Sequence, residues 1–239
     1  MSKWWRTAVV ALRKTAETSR SYHTIQAIPR EISGNRVSVK DRAQGRIPAV
    51  VFAQPNPSTG GGGTPPRPVS RKHLLTTEKR QIQSILNSIE LPYFCSTTFP
   101  LQIRAGSGSS TLLESGNVLP IKVHRDSETG KLLNLVFVWA DEGTELKVDV
   151  PIVFKGEDIC PGLKKGGFLN KIRTSLKYKC PSEHIPQKIE IDISNLDIGD
   201  KVFMKEVNVH SSLELLSKNE SLPICKIVAA KIDSMKPTQ

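Results

Sequence analysis

Arginine carries the clearest chemistry in this chain. Between His23 and Trp139 there are 14 Lys plus Arg against 7 Asp plus Glu, a net of +7, and nine of the 14 are arginine. From Ala140 to Gln239 the count is 15 against 15, with Arg173 the one arginine. A guanidinium offers a planar fork of donors that fits a phosphate or a guanine edge, whereas scattered lysines are the usual solubilising surface. An anion-binding surface is therefore expected in the first part of the chain, with Arg36, Lys40, Arg42 and Arg46 close together in sequence. The overall formal charge of +11 leaves RNA, DNA and anionic membrane as polyanionic partners on composition alone.

Other chemistries find little support. His23, His73, His124, His184 and His210 have no metal-ligand spacing, and Cys95, Cys160, Cys180 and Cys225 form no C-x-x-C pair. These thiols read as buried or idle, as in a reducing compartment. No G-x-S-x-G elbow or carboxylate pair marks a catalytic site, so neither an enzyme nor a cofactor, metal or small-molecule substrate is expected. Gly60 to Gly63 leads into "TPPRP", not the lysine and helix start that a phosphate-binding loop needs, and "GSGSST" at Gly106 fails the dinucleotide pattern at Thr111. Both are loops, although Arg67 in the first could touch RNA electrostatically. No apolar run approaches the length that crosses a bilayer, and no membrane partner is expected.

The elements that would position the arginines are short strands. "NRVSVKDR" (Asn35 to Arg42) alternates Val37 and Val39 with polar neighbours, which predicts a half-exposed strand. A Gln44–Gly45 turn then feeds Ile47 to Phe52, an apolar run expected to be buried on both faces. "RKHLL" predicts another strand. "TEKRQIQSILNSI" predicts a helix capped by Thr77, with Ile82, Ile85, Leu86 and Ile89 on one face. Strands are expected over Phe94 to Arg104, Leu112 to His124 and Leu132 to Trp139. One helix across several antiparallel strands suggests a small barrel or α+β sheet. Beyond Glu145, "LKVDVPIVF", "SLKYKC" and "KIEIDIS" alternate in period two, with Gly162, Gly166 and Gly167 as expected turn glycines.

The first 22 residues read as an address. Lys3, Arg6, Arg13, Lys14 and Arg20 oppose a single acid, Glu17, and Trp5, Val9, Leu12 and Ala16 would align as one helical stripe. This is the composition of a mitochondrial transit peptide, with Arg20-Ser21-Tyr22 resembling a processing site before His23. A plastid address is the competing reading.

Two stretches carry a resemblance to a known family. Ala27, Arg30, Gly34, Lys40, Arg42, Gly45 and "RIPAVVF" resemble the start of the bacterial large-subunit ribosomal protein numbered twenty-five. "VPIVFKGE", "GLKKGGFL" and "CPSEHIPQKIEIDISNLDIGD" are similar to the second domain of its two-domain members, the general stress protein CTC type. The resemblance implies a β-barrel that binds 5S rRNA in the large ribosomal subunit, followed by a β-rich domain of less defined role. Where the family has tyrosine this chain has Phe52. Where its late strand has the histidine and aspartate that lie near RNA, this chain has Asn134 and Val136.

The resulting expectation is a mainly β protein with minor α. Residues 1–22 would be the transit peptide. Residues 23–139 would form a small barrel with one or two helices and a mobile Gly/Pro loop at 54–68, and 140–239 an all-β domain. The partners would be 5S rRNA and neighbouring large-subunit rRNA and proteins, in the mitochondrial ribosome. The expected RNA-binding residues are Arg30, Arg36, Lys40, Arg42, Arg46, Phe52, Arg71, Lys72, Arg125, Lys131 and Asn134. The alternative is a ribosome-associated adaptor or stress protein that works through protein contacts.

Overall fold

The computed structural model describes residues 23–52, 72–207, 209–217, 219 and 221–229. The expected transit segment, the 54–68 loop, Arg67 and Arg71 lie outside these residues.

Six strands close into a barrel: β1 (Ile25–Pro29), β2 (Arg46–Phe52), β3 (Lys72–Glu78), β4 (Phe99–Arg104), β5 (Leu112–Arg125) and β6 (Leu132–Trp139). Their order is β1-β3-β2-β6-β5-β4. The small barrel expected of this part is present; most of its pairs are antiparallel, and two, β1 with β4 and β2 with β6, are parallel. Parallel neighbours need long crossovers, which the helical segments between strands supply.

Alternate residues of each strand point inward: Ile47, Ala49 and Val51 from β2, Leu101 and Ile103 from β4, and Leu135 and Phe137 from β6. Helix α2 (Lys79–Ser88) adds Ile82 and Ile85 to this core, the face its periodicity predicted. The short helix α3 (Leu91–Phe94) seats Phe94 against Phe99, with ring centroids 5.0 Å apart.

Three local expectations are overturned. Asn35 to Ala43 is a helix, α1, with no fully buried residue. Two valines are too few to define a period, and Val39 stays exposed. What decides the helix lies at its end and around it. Lys40 and Arg42 occupy its last turn, where cations suit the helix dipole, and Gly45 at φ 78° terminates it with a conformation that side chains disfavour. Thr77 is no N-cap: it is buried in β3 and donates to the carbonyl of Ile47, so the strand runs on to Glu78. Phe94 belongs to α3, and the strand expected from it starts at Phe99.

The second half forms two sheets. One has the order β10-β7-β9-β12, from β7 (Glu145–Lys155), β9 (Ser175–Pro181), β10 (Ile189–Asp192) and β12 (Glu214–Leu215). The other has β11 (Lys201–Phe203), β13 (Pro223–Ala229) and β8 (Gly167–Lys171), with a short helix α4 (Pro161–Lys164) before β8. Of the three expected turn glycines, Gly166 is one, at φ 87°. Gly162 and Gly167 serve close packing instead. A Cβ on Gly162 would lie 2.9 Å from the backbone of Asp197, and one on Gly167 would lie 2.6 Å from the Gly162 carbonyl oxygen. The "GLKKGG" and "NLDIGD" stretches are thus packed on one another, and Lys165 forms an ion pair with Asp197.

The two halves share a core. Leu119 and Val138, on the outside of the barrel, are buried among Leu146, Val148, Val150, Tyr178 and Ile191, and Phe52 packs on the same cluster. This explains the unbroken apolar character of β2. Its inward residues fill the barrel, α1 lies beside it, and the second half covers Phe52.

Candidate nucleic-acid interface

The site is built around the end of β5 and the start of β6. These strands meet in a turn held by two backbone bonds, Asp126 N–H to Lys131 O and Gly130 N–H to Asp126 O, each 2.9 Å. The Asp126 carboxylate accepts from the Thr129 hydroxyl and, at 3.3 Å, from the Glu128 N–H. The Thr129 bond first and the Glu128 bond second hold this carboxyl below the usual carboxylate range. Its charge is thus taken up inside the turn, and Arg125 and Lys131 flank the turn with exposed side chains.

Helix α1 is pinned beside this hairpin. Arg42 donates through Nη1 to the Leu133 carbonyl at 3.3 Å, which ties the last turn of the helix to β6. On the other side Arg30 Nη2 donates to Ser38 Oγ at 2.9 Å, and Arg30 Nε lies 3.3 Å from Asp41 Oδ2. The Arg30 and Asp41 side chains are only 11% and 16% exposed. Arg36 and Lys40, one turn apart on α1, are left exposed on its outer surface.

Arg36, Lys40, Arg42, Arg125, Lys131 and Asn134 are therefore brought to one region. The other expected residues among those described are not. Arg30 is engaged in holding α1, and Phe52 packs on the second core. Lys72 is the cross-strand partner of Phe52, at the opposite end of β2 from Arg46 and about 20 Å away at ordinary strand rise. Arg46 lines a separate cleft with Arg104.

Two residues escaped the sequence reading. His124 pairs directly with Asn134 across the hairpin, and Lys122 pairs with Val136. The polar groups expected on β6 are thus replaced by ones on the neighbouring strand, facing the same side. Counting symmetrically outward from the 126–131 turn would pair His124 with Leu133; a register shift between His124 and Arg125 moves it onto Asn134, and nothing in the sequence announces that shift.

Charge pairing separates the halves. Among the described residues, Arg36, Lys40, Arg42, Lys122, Arg125 and Lys131 make no ion pair. In the second half Lys155, Lys165, Lys171, Lys179 and Lys188 are each bridged to a carboxylate. The cations of the barrel face are available to an outside anion, whereas many of the later lysines are already matched.

The architecture is a closed barrel that shares a core with a second β domain. Residues 145–231 match the family described as ribosomal protein TL5, C-terminal domain. Large ribosomal subunit protein bL25 of Gloeobacter violaceus is 31% identical over 177 residues, 74% of this chain and 72% of the relative. The proteins of the same name from Erythrobacter litoralis and from a Wolbachia of Drosophila simulans are 28% and 34% identical. These cover 86% and 58% of this chain, and 79% and 72% of the relatives. The chain belongs to the bL25 family of large-ribosomal-subunit proteins, a family of structural proteins rather than enzymes.

Proposed function

We propose that this protein is a structural constituent of the large ribosomal subunit of mitochondria, binding 5S rRNA through the face built by α1 and the β5–β6 hairpin. The observation that carries the RNA contact is the set of six unpaired cations on that face. Arg36, Lys40, Arg42, Lys122, Arg125 and Lys131 would meet backbone phosphates, which position the protein. His124 and Asn134, side by side, supply donors and acceptors for base edges or ribose hydroxyls, where RNA-specific recognition is made. Lys122 stands where a family aspartate would have had its nearest cross-strand neighbour, and turns that spot from acceptor to cation.

The mitochondrial destination rests on the basic, acid-poor first 22 residues, and we place the functional division near Ala140, where the net charge of the chain changes. Competition binding tests the RNA partner. Residues 23–239 should hold 5S rRNA against an excess of tRNA, and His124→Ala combined with Asn134→Ala should lose that preference while keeping general RNA affinity. No preference to begin with contradicts 5S recognition, and a preference that the double variant keeps contradicts the role given to His124 and Asn134. A fluorescent fusion of residues 1–22 should enter mitochondria.

The adaptor reading draws on a different feature. Strand β8, at the edge of its sheet, leaves Phe168 half exposed, and Ile172 just after it is equally so. It predicts ribosome association that survives loss of the basic face.

A further inference from the structure

Arg46 and Arg104 approach one small cleft from opposite sides of the outer barrel surface. Ile28, Thr76 and the Gly106–Gly108 stretch also line it. None of its lining comes from α1 or from the β5–β6 hairpin, so it is separate from the face described above. Two guanidiniums lining one cleft repel each other unless a negative charge lies between them. No carboxylate comes within ion-pair distance of either among the described residues, although Glu78 also lines the cleft.

Arg104 gives a second, independent observation. Its Nη1 donates to the Ser109 carbonyl at 3.4 Å and its Nη2 to Gln102 Oε1 at 3.2 Å. These bonds fix the plane of the fork, while Nε is buried without a partner. An orphaned donor on a charged group is costly, so the guanidinium favours an anion beside it. The cavity measures about 50 Å³, far below the several hundred Å³ of a nucleotide or drug-sized site. A single tetrahedral oxyanion suits that volume and the two forks.

We propose that this cleft is a second anion site, which takes one backbone phosphate of the bound RNA between Arg46 and Arg104. The source of the phosphate rests on the RNA reading above; the anion chemistry of the cleft does not. Glu78 tempers the site, so its neutralisation strengthens it.

Two readouts test this on residues 23–239. The side-chain Nε–H resonances of Arg46 and Arg104 are followed as inorganic phosphate replaces chloride at constant ionic strength. A saturable shift at these two arginines, but not at exposed Arg36 or Arg80, is expected. A linear drift shared by all four overturns the site. The second readout is 5S rRNA binding across a salt series. Arg46→Gln, which removes no hydrogen bond seen in the structure, is expected to weaken binding about 3- to 10-fold and to reduce the salt slope by about one phosphate's worth. Arg104→Lys, which keeps the charge but loses the fork, should fall between wild type and Arg46→Gln, and Glu78→Gln should tighten binding. Arg42→Gln serves as the reference for the main face. If Arg42→Gln weakens binding while Arg46→Gln and Glu78→Gln leave it unchanged, the cleft is not an RNA site although the main reading stands. Saturable phosphate shifts without any RNA effect overturn the RNA source in the same way.

Discussion

At the scale of single residues, some of what the sequence marks as RNA chemistry is also engaged in architecture. Arg30 is the clearest case. Its family position suggests an RNA contact, yet its guanidinium bonds Ser38 and faces Asp41, holding α1 to β1. Asp41→Asn leaves that largely buried charge unpaired and is expected to cost about 1–3 kcal/mol in urea unfolding. The same loss should appear in Arg30→Gln, and the double variant should lose less than the two singles added. Full additivity contradicts the pair. The carboxylates predict a pH response too. Asp126, Asp192 and Asp197 are held below the ordinary carboxylate range, by bonds from Thr129, Ser194 and Lys165 respectively. A depressed carboxyl stabilises the fold above its unfolded pKa, about 3.9, and that stability is lost as pH falls through the lower folded value. Thermal midpoints should therefore be flat down to about pH 5 and drop below pH 4. Asp126→Asn should soften that drop. Legibility at this scale was partial because residue type reports capacity, while the partner that uses it is set by folding.

At the scale of elements, the strongly periodic segments were readable and the weakly periodic ones were not. The face of α2 followed from Ile82, Ile85, Leu86 and Ile89, and β2 and β6 from their apolar runs. The helix α1 was read as a strand because none of its residues is fully buried, so hydrophobic spacing carried no information there. Its true signals were the basic last turn and Gly45. Gly45→Ala, forced to φ 78°, is expected to cost about 1–2 kcal/mol and to weaken RNA binding by loosening α1. Circular dichroism and chemical unfolding of that variant measure both parts. Strand β1 was missed because five residues are too few to declare a period. The His124–Asn134 pairing depends on a register shift between His124 and Arg125, which plain hairpin counting does not supply. The "GLKKGG" glycines show the converse: the stretch was recognised as characteristic, but its reason, backbone packed on backbone, is visible only once Asp197 and Ile198 lie beside Gly162.

At the scale of the whole molecule, the two halves differ in charge yet share apolar surface. Leu119, Val138 and Phe52 belong by strand to the barrel and by packing to the second core. Burial of Leu119 and of Val138 contributes on the order of 1.5–3 kcal/mol each, and half-buried Phe52 less. Residues 23–139 alone should therefore expose this patch, bind a hydrophobic dye and self-associate, whereas the longer chain should not. Leu119→Ala in the full-length protein should cost about 2–5 kcal/mol. This coupling was illegible in sequence, because outward-facing apolar residues on a strand look the same whether solvent or a second domain covers them. The division of labour follows: the second domain braces the outer wall of the barrel at one end, and the basic face works at the other. The central claim is that six unpaired cations on that face bind RNA phosphates, and the salt dependence of 5S rRNA affinity tests it most directly. For residues 23–239, six contacts predict a slope of log K against log salt near −5, and Arg36, Lys40, Arg125 and Lys131 each changed to glutamine should lower it stepwise by about one. A slope near −1, unchanged by those substitutions, would contradict the account.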